Sequence, residues 1–285
     1  QPSGRVTFAE DYDFAYMANG GKIVAYATFL QYLQSNIDHP DLAERSIDGN
    51  LGNLDVDYDY TDSTIYMPDE HAPVKVTHLG MLDTYMLMNN KGDDYLTYSE
   101  VSEPLNVNAL NFVRAESKSD NLQAIGTENG ELTLFGTRTI EFWQNDGSPF
   151  SKIGGVDVSR GLGGADTLAF ISNRWMFLDH EGKHTGLVGR NPQVVSTNYD
   201  KELQTIDINQ AFAMPIGVDG HALYVISSPS NDKCYIYDDK LNRWQGEWAS
   251  WDTAKADYSR WRGNCYVNIS RAWGKHLVGD ISNGV

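Results

Sequence analysis

The stretch that decides the fold is Arg114–Val156, RAESKSDNLQAIGTENGELTLFGTRTIEFWQNDGSPFSKIGGV. It reads as three short strands in series: Leu122–Gly126, Glu131–Phe135 and Thr139–Trp143. The turn formers Glu128-Asn129-Gly130, Gly136 and Asn145-Asp146-Gly147 separate them. Runs of about five residues bounded by Gly, Asn and Asp predict an antiparallel meander. Leu132 and Leu134, then Ile140 and Phe142, alternate with polar neighbours, which predicts one face on a core and the other toward water. A lone meander is marginal in water and must stack on something, so the fold requires copies.

Working outward, copies are present. Upstream, Arg5–Ala9, Phe14–Met17 and Lys22–Ala27 read as most of one unit, and Ser63–Met67, Val74–His78, Thr84–Asn89 and Tyr95–Ser99 as the next. Downstream come Thr167–Ile171, Arg174–Leu178 and Thr185–Val188, then Ala211–Ile216, Ala222–Ser227, Lys233–Asp238 and Arg243–Trp248. Trp261–Asn268, Ala272–Val278 and Asp280–Val285 end the chain. Units begin near residues 5, 63, 110, 157, 205 and 255, and four-stranded units repeating at roughly this spacing are the sequence form of a β-propeller. A sandwich would not need the repetition. The reading is therefore an all-β chain forming one domain over residues 1–285, a β-propeller of about six four-stranded antiparallel blades. Residues 5–9, or flanking segments of a longer chain, are expected to complete the last blade.

Two segments break the rhythm. Residues 29–61 insert a helical turn or two over Thr28–Ser35 and an acidic loop over Asp38–Asp62; so long an excursion from a compact domain is usually functional. Asn191–Leu203 predicts a short helix over Tyr199–Leu203, capped by Ser196 or Thr197. Residues 29–61 and 100–112 are the segments expected to meet partners, since loops carry such contacts.

Composition sets limits. A chain of 285 residues can bury roughly three quarters of its unfolded surface. The 26 Gly, 16 Tyr and 7 Trp, with only 21% charged residues, suit turn-rich β structure. No run approaches a membrane span, and no secretion signal is visible. The start at Gln1 and the end at Gly284-Val285 read as those of a fragment. A net charge of −17 argues against gripping nucleic acid through phosphates; solubility explains it as well as any functional role. Cys234 and Cys265 are too few for a disulfide framework and read as free core thiols.

The motifs that look like chemistry read better as structure. His180-Glu181-Gly182-Lys183-His184 matches the zinc-protease pattern, but it falls between two strands with Gly182 at its centre, so it reads as a hairpin turn. Asp55, Asp57 and Asp59 suggest a calcium loop, yet Tyr60 and Tyr66 occupy the positions where an EF-hand needs Gly and Glu. Gly161-Leu162-Gly163-Gly164 lacks a following P-loop Lys and reads as a place where backbones approach closely. No repeated Asp-box, arginine trio or nucleophile elbow is present, so no catalytic residue, cofactor or metal is assigned.

Ordered features of the central stretch nonetheless resemble a known family. Ala115-Glu116-Ser117, Asp120-Asn121-Leu122, Gly130-Glu131-Leu132, Phe135-Gly136, Thr139-Ile140-Glu141-Phe142-Trp143, Pro149-Phe150 and Gly154-Gly155 follow in series. Gly161, Leu178-Asp179-His180, Asn191–Thr197 with Ser196, Tyr235–Asp238, Trp244 and Val278-Gly279-Asp280 continue them. The set resembles the packaged-DNA stabilisation proteins of short-tailed, P22-like bacteriophages, the tail hub or nozzle, over about residues 110–285. Residues 1–109 match in blade texture alone. Ala115, Glu116, Ser117, Phe135, Gly136, Ile140, Glu141, Pro149, Phe150, Ser196 and Thr197 are then family-motif positions of structural character.

The resemblance implies a non-enzymatic virion protein, assembled in the host bacterial cytoplasm and joining the tail after DNA packaging. It would form a ring of six, extend the portal and adaptor channel, and help retain packaged DNA until ejection. It would also carry tail fibres or spikes and a needle or plug. DNA would pass without sequence-specific binding, and an acidic lumen would repel its phosphates. A glycan-binding or glycan-cleaving propeller is the alternative; a general protein-interaction propeller is a third reading.

Overall fold

The computed structural model describes residues 5–10, 14–27, 64–66, 71–115, 120–147, 150–154, 158–195, 199–268 and 275–281. They form two compact units, 1–136 with 141–155 and 137–140 with 156–285. Among the described residues the secondary structure is almost wholly antiparallel β, with one four-residue helix, α1 (Asp200–Leu203).

The first unit holds three four-stranded sheets, each in chain order. The first comprises β1 (Thr7–Glu10), β2 (Phe14–Ala18), β3 (Val24–Ala27) and β4 (Thr64–Tyr66). The second comprises β5 (Leu79–Leu82), β6 (Tyr85–Asn89), β7 (Tyr95–Tyr98) and β8 (Phe112–Arg114). The third comprises β9 (Leu122–Gly126), β10 (Leu132–Gly136), β11 (Ile140–Asn145) and β12 (Phe150–Lys152). Tyr16, Ile23, Val76, Met86, Met88 and Val107 are buried in a core shared by the first two sheets. Leu87, Leu96, Leu132, Leu134, Trp143 and Phe150 form the core between the second and third.

The second unit holds two four-stranded sheets and two hairpins. One sheet is β13 (Ala169–Ile171), β14 (Arg174–Leu178), β15 (His184–Val188) and β16 (Asn191–Val194). The other is β17 (Phe212–Val218), β18 (His221–Ser228), β19 (Lys233–Asp238) and β20 (Arg243–Glu247). The hairpins are β21–β22 (Ala249–Asp252, Asp257–Arg260) and β23–β24 (Gly263–Asn268, His276–Asp280).

The phase of the repeat differs from the sequence reading. Ser63–Met67 is expected to open the second unit, but β4 pairs with β3 and closes the first sheet. Residues 28–63 therefore connect two paired strands of one sheet. Their expected helical turn and acidic loop lie outside the described residues, as do Asp55, Asp57 and Asp59. β8, β12 and β16 likewise close their sheets, where the sequence shows no strand. Residues 7–10 pair with β2 and belong to the first sheet, not the last. Asp280–Val285 is expected as a separate strand, but Asp280 ends β24 and 282–285 lie outside the described residues.

The central meander differs in its faces. All five residues of β10 and the first four of β11 are buried, so neither strand shows the expected water-facing side. Thr133, Thr139 and Glu141 are polar groups inside the core, which is why alternation misleads there. Two of the three turns stand as read: Asn129 and Gly130 both have positive φ, and Asn145 Oδ1 accepts the Gly147 N–H at 3.0 Å, whereas Gly136 is the last residue of β10, paired with Leu122. For α1 the N-cap is Tyr199, without a side-chain cap hydrogen bond, and the helix starts at Asp200; Ser196 and Thr197 lie outside the described residues. Cys234 is buried, but Cys265 is exposed on a two-stranded hairpin, so only one of the two is a core thiol.

Candidate functional site

The described family-motif positions do not converge on a cleft; they are spread through the packing of their units. Phe135 is buried at the end of β10, where the pairing register shifts between it and Gly136. Ile140 is buried and bridges Val158. Glu141 is 1% exposed, accepts the Trp143 indole N–H at 3.0 Å, and lies 3.7 Å from Lys152 Nζ. Phe150 is held edge-on by Tyr85 and Tyr98, each with its ring centroid 5.4 Å away. The Ala115 N–H donates to the Asp94 carbonyl at 3.0 Å. Glu116, Ser117 and Pro149 lie outside the described residues.

The most constrained node is in the second unit, around the glycines at 161–164. Leu162 bridges Asp179, the Gly163 N–H donates to the Leu178 carbonyl at 2.9 Å, and the His180 N–H to the Gly161 carbonyl at 3.1 Å. A Cβ at Gly161 would overlap the backbone of Thr137 and Arg138, one at Gly163 the Asp179 carbonyl, and one at Gly164 the Ile208 carbonyl. Close backbone approach is thus the reason for this glycine run, as the sequence suggests.

Asp179, fully buried, organises the β14–β15 turn. Its Oδ1 accepts the Glu181 and Lys183 N–H groups, each at 2.9 Å, and its Oδ2 accepts the Thr185 hydroxyl at 3.0 Å and is paired with Arg160. This turn contains His180–Lys183 of the zinc-protease-like motif. His184 begins β15 with its ring stacked on Tyr224 at 4.7 Å, while Tyr237 and Trp244 meet it edge-on. Burial, with the Arg174 guanidinium adding to it, pushes its pKa down to about 3, so the ring is neutral at physiological pH. Among the described residues no three His, Cys, Asp or Glu side chains gather as a metal site.

Asp238 repeats the device at the β19–β20 turn, accepting the Lys240 and Leu241 N–H groups at 3.1 and 3.2 Å. Burial opposes its ionisation, but the hydrogen bond from His221 and those two amides hold its pKa below the usual carboxylate value. Arg174 pairs with Asp239, tying the two sheets together. The sequence reading missed these locks. The signal was an Asp ending an apolar strand just before a turn, where its carboxylate can accept backbone N–H groups two residues on.

Segment 100–112 buries Leu105 and Val107 but presents Val101, Leu110 and Phe112 to solvent at 56, 80 and 44% exposure. Beside it a groove of about 450 Å³ is lined by Val74, Asn90, Tyr95, Asn108, Asn111 and Phe112.

Serial four-stranded antiparallel sheets, sharing cores with their neighbours inside the first unit, suit the β-propeller class. The chain belongs to the phage-stabilisation family described as bacteriophage P22 Gp10, β-propeller, whose model matches residues 3–285. The match thus takes in residues 3–109, where the sequence shows blade texture alone. No curated protein sequence matches the chain. Among solved structures, it is similar to dihydro-haem d1 dehydrogenase NirN in complex with DHE, at 12% identity and TM-score 0.54, covering 98% of this chain and 54% of that one. It is also similar to the extracellular domain of the putative hybrid two-component system BT4673 from B. thetaiotaomicron, at 9% identity and TM-score 0.51, covering 95% and 30%. The chain spans only those shares of the two structures, and at such identities the likeness shows the fold alone.

Proposed function

We propose that the chain is a tail hub, or nozzle, of a short-tailed phage: a structural virion protein that extends the portal–adaptor channel and helps keep packaged DNA inside. The observation that carries this reading is the family match over residues 3–285. Residues with strong hydrogen-bonding roles, Asp179, Asp238 and Glu141, serve turns and core, which suits a protein selected for rigidity. Its expected partners are further copies in a ring of six, the portal and adaptor, and outside these a fibre or spike and a needle or plug. The excess of carboxylates suits a wall past which DNA slides, because like charge prevents phosphate from sticking.

The test uses DNA-filled heads lacking their tail hub. Added protein should co-sediment with the heads and raise nuclease-resistant DNA above the no-protein control. Protein that neither binds nor protects, supplied as the full-length chain, would overturn the reading.

A further inference from the structure

The β21–β22 hairpin is built with the amphipathic sense reversed. Cross-strand pairing places Ser250 with Ser259 and Asp252 with Asp257 on one face, and Trp251 with Tyr258 on the other. Ser250, Asp252 and Ser259 are half-buried, whereas Trp251 and Tyr258 are 53 and 68% exposed, edge to face at 5.4 Å. A slip of one residue would turn both aromatics inward. The register is instead held polar-side-in. Asp252 Oδ1 accepts the Ala254 N–H at 2.9 Å, Asp232 accepts the Arg260 N–H at 3.1 Å and Lys255 Nζ at 2.7 Å, and Ser250 Oγ accepts the Arg262 N–H at 3.2 Å. Trp and Tyr are the side chains that most often anchor protein contacts.

Charge indicates what covers them. The first unit carries twenty-four carboxylates against eight Lys and Arg, and the second fifteen against fourteen. Residues 249–281 with their partner Asp232 reverse the sign by one charge, Lys255, Arg260, Arg262, Arg271 and Lys275 standing against Asp232, Asp252, Asp257 and Asp280, with Lys255 paired to Asp232 and Arg262 to Asp280. The aromatic pair offers roughly 250 Å² of surface, well below the ~800 Å² per partner of a stable contact, so it is an anchor within a wider, charge-assisted one.

We propose that the Trp251–Tyr258 face docks on the acidic first unit of a second copy of this chain. The contact is heterologous, the kind that builds rings when the rotation closes. It deepens the ring-forming part of the tail-hub reading, and rests on it only there.

Sedimentation of the wild type at increasing concentration should show self-association that weakens between about 0.05 and about 0.5 M salt. Trp251→Ser with Tyr258→Ser should weaken it at least thirty-fold, the order expected for hot-spot loss, while Leu241→Ser, an exposed apolar change elsewhere in the unit, leaves it intact. Circular dichroism checks that each variant folds. A photo-crosslinker on Thr253→Cys, in a Cys265→Ser background, should join residues 1–155 of another copy. Unchanged association in the double variant, or crosslinks confined to residues 156–285, overturns the proposal and leaves the ring reading standing. A wild type that stays monomeric overturns self-association itself, while the head-binding assay judges the tail role separately. Crosslinks appearing only to a different protein also overturn it.

Discussion

His184 makes the stability of the second unit depend on pH between 7 and 5, above the range in which most carboxylates titrate. Its folded pKa of about 3 lies below the ordinary histidine value of 6.5, so above pH 6.5 both folded and unfolded states are neutral and the group contributes nothing. As pH falls through 6.5 the unfolded chain takes up a proton that the buried ring cannot accept. Stability is then lost at about 1.4 kcal/mol per pH unit until the folded pKa is reached. Between pH 7 and pH 5 the loss is about 2 kcal/mol, a fall in melting temperature of roughly 4–8 °C. His184→Phe keeps a ring on Tyr224 and cannot be protonated. Thermal melts of both proteins at the two pH values should show the variant losing about 2 kcal/mol less than the wild type. The slope, not the stability at pH 7, is the readout. Equal slopes would refute the claim that the ring is held neutral by burial.

Gly161→Ala should destabilise by ~3 kcal/mol, the upper end for overpacking, because the backbones of Thr137 and Arg138 must move; Gly154→Ala, with nothing within 4 Å, should stay within ~0.5 kcal/mol in the same denaturant titration. Glu141→Ala removes the acceptor of the Trp143 indole and the charge facing Lys152, and should cost about 1–3 kcal/mol by chemical unfolding. Cys265 should react with a maleimide in the folded protein, whereas Cys234, buried and with its thiol pKa pushed up to about 12, should react only on unfolding. Equal rates would place Cys234 at the surface.

The fold class was legible because the inner strands of each sheet are apolar and bounded by Gly, Asn and Asp turns, as Leu132–Gly136 and Lys233–Asp238 show. Three of the closing strands, β8, β12 and β16, were not. Phe112–Arg114 and Asn191–Val194 are short, largely exposed edges, one containing Pro192, so no core-facing period marks them. Missing them shifted the phase of the repeat and left Ser63–Met67 in the wrong sheet. Backbone approach at 161–164 and a hairpin turn at 180–184 are legible in the sequence and present in the structure. Their partners were invisible, because Arg160 with Asp179 and His184 with Tyr224 are joined only by tertiary packing. Nor could alternation reveal that Glu141 lies inside the core, since a buried carboxylate with its own donors looks in sequence like an exposed one.

Electron cryomicroscopy of hub-less, DNA-filled heads incubated with this chain tests the central claim most directly. The account predicts added density at the portal vertex alone, six copies in a ring continuing the channel, each fitted by the four-stranded sheets described above. Heads whose portal vertex is unchanged by the protein, or density scattered over the capsid shell, would contradict it.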